Sequence, residues 1–118
     1  MPKVMIVDDS LFLRQKLSNL LTGSGYETIL AENGDKAVAL YRQVQPDVVL
    51  MDIIMPQKDG LEALAEICTF DPGAKVVMLT ALGQELAVTQ AMEIGAKDFV
   101  EKPVGPDQLL AVLEKVLE

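Results

Sequence analysis

Short apolar runs alternate along this chain with longer stretches in which apolar residues recur at helical spacing. Five runs predict strands at residues 3–7, 28–31, 48–51, 76–79 and 98–101. The third run is apolar at every position, which is typical of a parallel strand covered on both faces. The stretches between and after the strands predict five helices. Ser10 is placed to cap the first of them, and Pro106 suits the first turn of the last.

This fivefold alternation of strand and helix predicts an α/β protein with a doubly wound parallel sheet. Right-handed crossovers between parallel strands place the helices on both faces of such a sheet. The pattern alone leaves the order of the strands open. We expect a single domain over residues 1–118, because the length is that of about one domain and no linker, repeat or low-complexity segment interrupts the pattern.

The charge balance limits the range of partners. Eighteen acidic residues against ten basic residues give a net charge of −8, which opposes nonspecific contact with nucleic acid or anionic lipid. We therefore expect no direct nucleic-acid contact and no membrane insertion. The chain shows no leader, no long apolar run and a single cysteine, Cys68, which favours a cytoplasmic location. The absence of histidine excludes imidazole catalysis and histidine metal ligands.

Polar side chains follow four of the predicted strands, at the point where each strand ends. They are Asp8 and Asp9, then Asp52, then Thr80, then Lys102. Because the carboxyl ends of parallel strands meet at the edge where open α/β sheets bind ligands, we expect these side chains to share one pocket. Adjacent carboxylates repel each other unless a cation is present, and they suit Mg²⁺. A carboxylate beside a metal can attack phosphorus, while a hydroxyl and an ammonium can hold phosphoryl oxygens.

Each of these residues also has a plainer explanation that the sequence leaves open. Ser10 or Asp9 could simply cap a helix. Asp52 and Thr80 could be ordinary loop or cap residues, and Lys102 a solvated charge. Cys68, the methionines and Phe99, one of five aromatic residues, are most simply side chains of the core.

Taken in order, the same residues resemble the receiver domains of response regulators, in particular single-domain chemotaxis regulators of the CheY type. The segments that carry the resemblance are residues 7–10 (VDDS), 51–56 (MDIIMP) with Gly60, 79–81 (LTA) and Lys102-Pro103. The resemblance covers residues 4–117. It implies a flavodoxin-like sheet of strand order 2-1-3-4-5, and a cis peptide bond between Lys102 and Pro103.

The resemblance also implies a phosphorylation switch rather than a turnover enzyme. Asp52 would accept a phosphoryl group from a phosphohistidine of a sensor kinase or phosphotransfer protein. Mg²⁺, for which Mn²⁺ could substitute, would be bound by Asp9 directly, by Asp8 often through water, by Asp52 and by the backbone carbonyl of Ile54. Self-phosphorylation and slow autodephosphorylation would be the only reactions of the chain.

The remaining site residues would hold the phosphoryl group and report its arrival. Thr80 and Lys102 would bind phosphoryl oxygens, and Phe99 would be the switch aromatic that turns inward when the Thr80 hydroxyl is drawn to the phosphoryl group. The face of the fourth helix, fifth strand and fifth helix would then bind a target protein, such as a flagellar motor or relay component. A receiver domain cut from a longer DNA-binding regulator would show the same sequence pattern.

Two other protein classes fit the acidic edge less well. A phosphatase of the haloacid dehalogenase type also uses an aspartate nucleophile and Mg²⁺, but it needs a second aspartate where this chain has Ile54. A flavin or nucleotide carrier needs glycines and backbone donors in the first loop, where this chain has two carboxylates. Ile54 and Leu82 depart from the chemotaxis pattern, in which these positions are often polar, and we expect a long-lived acyl phosphate in consequence.

Overall fold

The computed structural model describes residues 1–118 and contains five strands that alternate with five helices. Their bounds are β1 (Lys3–Val7), α1 (Leu11–Gly23), β2 (Glu27–Ala31), α2 (Gly34–Val44), β3 (Val48–Asp52), α3 (Gly60–Phe70), β4 (Val76–Thr80), α4 (Glu85–Ile94), β5 (Asp98–Glu101) and α5 (Pro106–Leu117). All of the predicted elements are present. The bounds of β2, β3 and β4 differ from the predicted ones by a single residue.

The five strands form one parallel sheet in the order β2-β1-β3-β4-β5. This is the flavodoxin-like order, so the fold implied by the resemblance is confirmed. β3 lies at the centre of the sheet, and all five of its residues are buried. A strand covered on both faces has no solvent side, which explains why its sequence is apolar up to the final aspartate.

Two cores, one on each face of the sheet, hold the helices in place. Alternate residues of a strand point to opposite faces, so Val4 and Ile6 of β1 pack with α1 and α5, while Met5 and Val7 pack with α2, α3 and α4. Four of the six methionines are buried, and Cys68 is half-buried against the larger core. No helix in the structure combines the length and apolar character needed to span a bilayer.

Side-chain caps start the first three helices next to the carboxyl edge of the sheet. The hydroxyl of Ser10 accepts the backbone N–H of Leu13 at 3.2 Å, so Ser10 rather than Asp9 caps α1. Asn33 and Asp59 cap α2 and α3 in the same way. Helix capping therefore explains the presence of Ser10. It does not explain Asp9, which is exposed and does not cap α1.

Gly60 lets α3 begin directly against the end of β3. Its N–H donates to the carbonyl of Ile53 at 2.6 Å. A Cβ at this position would lie 2.8 Å from the Cα of Ile53 and would collide with the carbonyl oxygen of Asp52. The loop from residue 53 to residue 59 must consequently return to within backbone contact of the strand it leaves.

We expect Gly60→Ala to lower the free energy of unfolding by about 1–3 kcal/mol, the usual range for forcing extra volume into a packed site. Urea denaturation would measure the change. Gly23→Ala is the matched control, because Gly23 is helical and a Cβ there meets no atom within 4 Å. That substitution should stabilise the protein by up to about 1 kcal/mol through helix propensity. Equal effects of the two substitutions would contradict the steric explanation.

Candidate functional site

The register of the sheet brings the four polar strand ends together. Val7 pairs with Met51, so the residues that follow them, Asp8 and Asp52, lie side by side at the carboxyl edge. Thr80 pairs with Glu101, so Lys102 leaves β5 next to the end of β4. The pocket predicted from the sequence therefore lies at this edge.

Lys102 links two of the carboxylates. Its Nζ donates to Oδ2 of Asp8 and to Oδ2 of Asp52, each at 3.1 Å. Its backbone N–H donates to the carbonyl of Thr80 at 2.7 Å. The peptide bond between Lys102 and Pro103 is cis, as the resemblance implied. Lys102 is thus held by backbone and side chain, and the interpretation as a solvated charge is wrong.

Burial separates the members of the site into an inner and an outer group. Asp8 is 1% exposed, Asp52 is 7% exposed and Thr80 is also buried, whereas Asp9 is exposed. Asp52 is the last residue of β3 and not a solvated loop residue, so that alternative is wrong as well. A buried carboxylate needs partners, and Lys102 provides one for both Asp8 and Asp52.

The loop after β1 is organised by contacts that sequence reasoning missed. The guanidinium of Arg14 donates from Nη1 to the backbone carbonyl of Asp8 at 2.6 Å. Oδ1 of Asp8 accepts the N–H of Ser10 at 2.8 Å, which leaves Oδ2 for Lys102. The only sequence signal for Arg14 is its position in the first turn of α1, just after the acidic pair. Arg14 therefore holds the backbone of Asp8, while the N–H of Ser10 orients the Asp8 carboxylate.

Burial and charge act in opposite directions on the pair Asp52 and Lys102. Burial raises the pKa of Asp52 above its ordinary value, an effect opposed by the hydrogen bond and charge of Lys102 and reinforced by the charge of Asp8. Burial lowers the pKa of Lys102, but the hydrogen bonds that Lys102 donates to Asp52 and Asp8, together with their charges, outweigh burial and raise that pKa overall. Lys102 is therefore fully charged at neutral pH, and the Asp52 carboxylate carries an electrostatic penalty.

The donor set of this site fits a divalent cation. One carboxylate oxygen from each of Asp8, Asp9 and Asp52 lies within 4.8 Å of the others. Three carboxylates and one ammonium, that of Lys102, leave two net negative charges in the pocket. Hard oxygen donors and this charge suit Mg²⁺. Ile54, whose carbonyl was expected to complete the ligand set, lies two residues beyond Asp52 in the following loop.

Phe99 is not a core side chain, contrary to the expectation from composition. It is 41% exposed, because it lies on β5, the last strand at one edge of the sheet. Phe99 and Thr80 line the same cavity of about 240 Å³, together with residues of the β4–α4 loop and α4. The Phe99 side chain thus borders an open cavity that Thr80 also lines.

Exposed apolar side chains lie in two loops at the carboxyl edge of the sheet. Ile54, between β3 and α3, is 63% exposed, and Leu82, between β4 and α4, is 86% exposed. Apolar side chains cannot orient water by hydrogen bonding. These two positions therefore offer no side-chain hydrogen-bonding group at the carboxyl edge of the sheet.

The sequence matches one protein family over most of its length. Residues 4–114 match the family described as the response regulator receiver domain. The chain is also 49% identical over 116 residues to the chemotaxis protein CheY of Listeria monocytogenes, with 98% of each chain covered.

Solved structures agree with this match in fold. The chemotaxis protein CheY4 of Vibrio cholerae has a TM-score of 0.93 at 32% identity, with 99% of each chain covered. A CheX–CheY–BeF3–Mg complex from Borrelia burgdorferi has a TM-score of 0.93 at 37% identity, covering 98% of this chain and 89% of that one. The similarity thus extends over the whole sheet and its helices.

We expect Asp52→Asn to stabilise the metal-free protein at pH 7. The folded-state pKa of Asp52 is raised above its ordinary value of 3.8, so the folded protein binds this proton more tightly than the unfolded chain. Stability is then lost as the pH rises through the interval between the two pKa values. The amide removes this loss, and the gain should shrink as the pH falls toward 4.

Urea denaturation in EDTA at pH 7 and pH 4 would measure this effect. Asp107→Asn is a suitable control, because Asp107 is an exposed carboxylate in the first turn of α5. Neutralising it should give no gain in stability. A loss of stability in Asp52→Asn at pH 7 would show that the ion pair with Lys102 outweighs the burial.

Proposed function

The chain belongs to the family of response regulator receiver domains, and on that premise we propose that it accepts a phosphoryl group on Asp52 and passes the signal to a target protein. Receiver domains of this CheY-like kind act as signalling switches in two-component systems. The donor would be a phosphohistidine of a sensor kinase or phosphotransfer protein. The receiver unit is proposed to extend over residues 1–118. Near one end, the carbonyl of Pro2 accepts the backbone N–H of Glu27 in β2, and near the other, α5 continues to Leu117.

One observation carries this proposal: the ammonium of Lys102 lies 3.1 Å from a carboxylate oxygen of both Asp8 and Asp52. A cation in this position can neutralise oxygens on a group attached to Asp52. Thr80, at the end of the neighbouring strand, adds a buried hydroxyl. The pocket therefore contains a nucleophile and two groups able to bind phosphoryl oxygens.

The proposed transfer is a displacement at phosphorus. A carboxylate oxygen of Asp52 forms a bond to phosphorus while the bond between phosphorus and the imidazole nitrogen of the donor breaks. The electron pair of that bond remains on the nitrogen, which then takes a proton. Hydrolysis later breaks the bond between the Asp52 oxygen and phosphorus, as water adds to phosphorus and inorganic phosphate leaves. Lys102 and Thr80 stabilise the charge on the phosphoryl oxygens in both steps.

Asp8, Asp9 and Asp52, with the carbonyl of Ile54, are the residues that would hold Mg²⁺ in this site. Receiver domains bind Mg²⁺ through an acidic pocket, and Mn²⁺ would serve as a substitute. Bound Mg²⁺ supplies charge neutralisation between the nucleophile and the incoming phosphoryl group. The fit of the three carboxylates to a divalent ion supports this assignment.

Thr80 and Phe99 are proposed to form the switch. A phosphoryl group on Asp52 would attract the Thr80 hydroxyl, and the movement would open the way for Phe99 to turn into the cavity that both residues line. The surface of α4, β5 and α5 would change in consequence and bind a target protein. CheY-type receivers interact with kinases and downstream targets, and a motor or relay component is the kind of target we propose.

Treatment with acetyl phosphate and Mg²⁺ should add one phosphoryl group to the protein, detected by intact-mass measurement. The gain should disappear in Asp52→Asn and in the presence of EDTA, because the nucleophile and the neutralising cation are then absent. Asp107→Asn serves as the control and should label like the wild type. Equal labelling of Asp52→Asn would show that the nucleophile is a different residue, and sustained release of phosphate at enzymatic rates would indicate a turnover phosphatase instead.

The acyl phosphate should be comparatively long-lived, because the exposed apolar side chains of Ile54 and Leu82 do not orient water. Ile54→Asn combined with Leu82→Glu should speed its decay by at least about tenfold, less than the ~10²–10⁴-fold that an optimally positioned general acid or base contributes. The decay would be followed by intact mass after removal of the phosphodonor. Unchanged or slower decay in the double variant would contradict this explanation.

A further inference from the structure

The loop from residue 53 to residue 59 is tethered at a residue that the phosphorylation chemistry does not use. Lys58 places its ammonium between two helices, where it forms ion pairs with Glu66 of α3 and, at 3.4 Å, with Asp35 of α2. The hydrogen bond and charge of Glu66 raise the pKa of Lys58, with a further contribution from Asp35. One side chain thus connects the loop to the first turn of α2 and to the body of α3.

The backbone of the same residue is held by a second, independent contact. Lys58 packs over Gly34 at the start of α2, where a Cβ on the glycine would collide with the carbonyl oxygen of Lys58 and would lie 2.9 Å from its Cγ. The neighbouring Gln57 has a φ of 68°, in the left-handed region that non-glycine residues rarely adopt. Such a backbone conformation persists only where surrounding contacts enforce it.

We propose that Lys58 is a positioning residue for the metal site, acting by holding this loop so that the Ile54 carbonyl stays aligned with the carboxylates. The inference rests on the proposed function, since it assumes that Ile54 supplies a ligand. A loop that is ordered beforehand loses less conformational entropy when the ion binds. Lys58 itself never touches the ion or the phosphoryl group.

The direction in which Mg²⁺ affinity changes when Lys58 is replaced distinguishes a positioning role from a purely electrostatic one. Lys58 carries a positive charge on the loop next to a pocket with net negative charge, so removing it should strengthen Mg²⁺ binding if only charge mattered. Loss of positioning should weaken binding instead. A weaker affinity in a variant that has become more negative can arise only from the change in the loop.

Isothermal titration of Mg²⁺ into wild type, Lys58→Met, Lys58→Arg and Lys36→Met tests the proposal. Lys58→Met should bind Mg²⁺ about threefold to tenfold more weakly, somewhat less than the ~10–100-fold lost when a direct hydrogen-bond partner of a metal ligand is removed, because Lys58 acts through the loop. Lys58→Arg keeps a cation able to bridge the two carboxylates and should restore most of the affinity. Lys36→Met removes the same charge from an exposed pair with Glu32 and should leave the affinity unchanged or slightly higher.

Unchanged or tighter Mg²⁺ binding in Lys58→Met would overturn the proposal. If that variant does not fold by circular dichroism, Glu66→Gln with Asp35→Asn breaks the same contacts from the other side. This pair should weaken binding more than the charge-matched pair Glu32→Gln with Asp98→Asn, and an equal effect would overturn the proposal too. A wild-type protein that neither binds Mg²⁺ nor accepts a phosphoryl group would instead refute the proposed function. Failure of the proposed function is therefore distinguishable from failure of the positioning role of Lys58.

Discussion

The ion pairs of Lys102 are the interaction on which the rest of the site depends. Asp8 and Asp52 are almost fully buried side by side, and two such carboxylates would repel each other in a low-dielectric environment. The single ammonium donates to both at 3.1 Å, which lets them remain together while leaving the pocket negative overall. A fully neutralised pocket would have no charge left to attract a cation, and an uncompensated one would be costly to fold.

The sheet supplies the geometry that this balance requires. β3 is buried along its whole length. The other residues of β3 pack into the two cores, so the position of Asp52 at the carboxyl end of the strand is fixed. β1 and β4 flank β3, and their ends carry Asp8 and Thr80. Side chains from loops complete the set, but the inner group depends on hydrogen-bonded strands and is therefore the rigid part of the site.

The sequence was sufficient to predict the strands and the pocket, because each apolar run ends in a polar residue and parallel strands end at one edge. It could not predict the strand order, since the same runs fit any order until a family resemblance is used. Phe99 was misjudged from composition because its exposure depends on β5 being the edge strand. The contacts of Arg14 and Lys58 were missed because they join residues whose proximity depends on how helices and loops pack.

The close approach of Gly60 to the end of β3 has a consequence for how this protein can vary. Surface loops ordinarily tolerate inserted and deleted residues. The loop from residue 53 to residue 59 is fixed at one end by Gly60 against the carbonyl of Asp52 and near its middle by Lys58 over Gly34. Because both points are in close contact, an inserted residue could be accommodated only if α3 or the end of β3 moved. Length, more than composition, is the property this loop is least free to change.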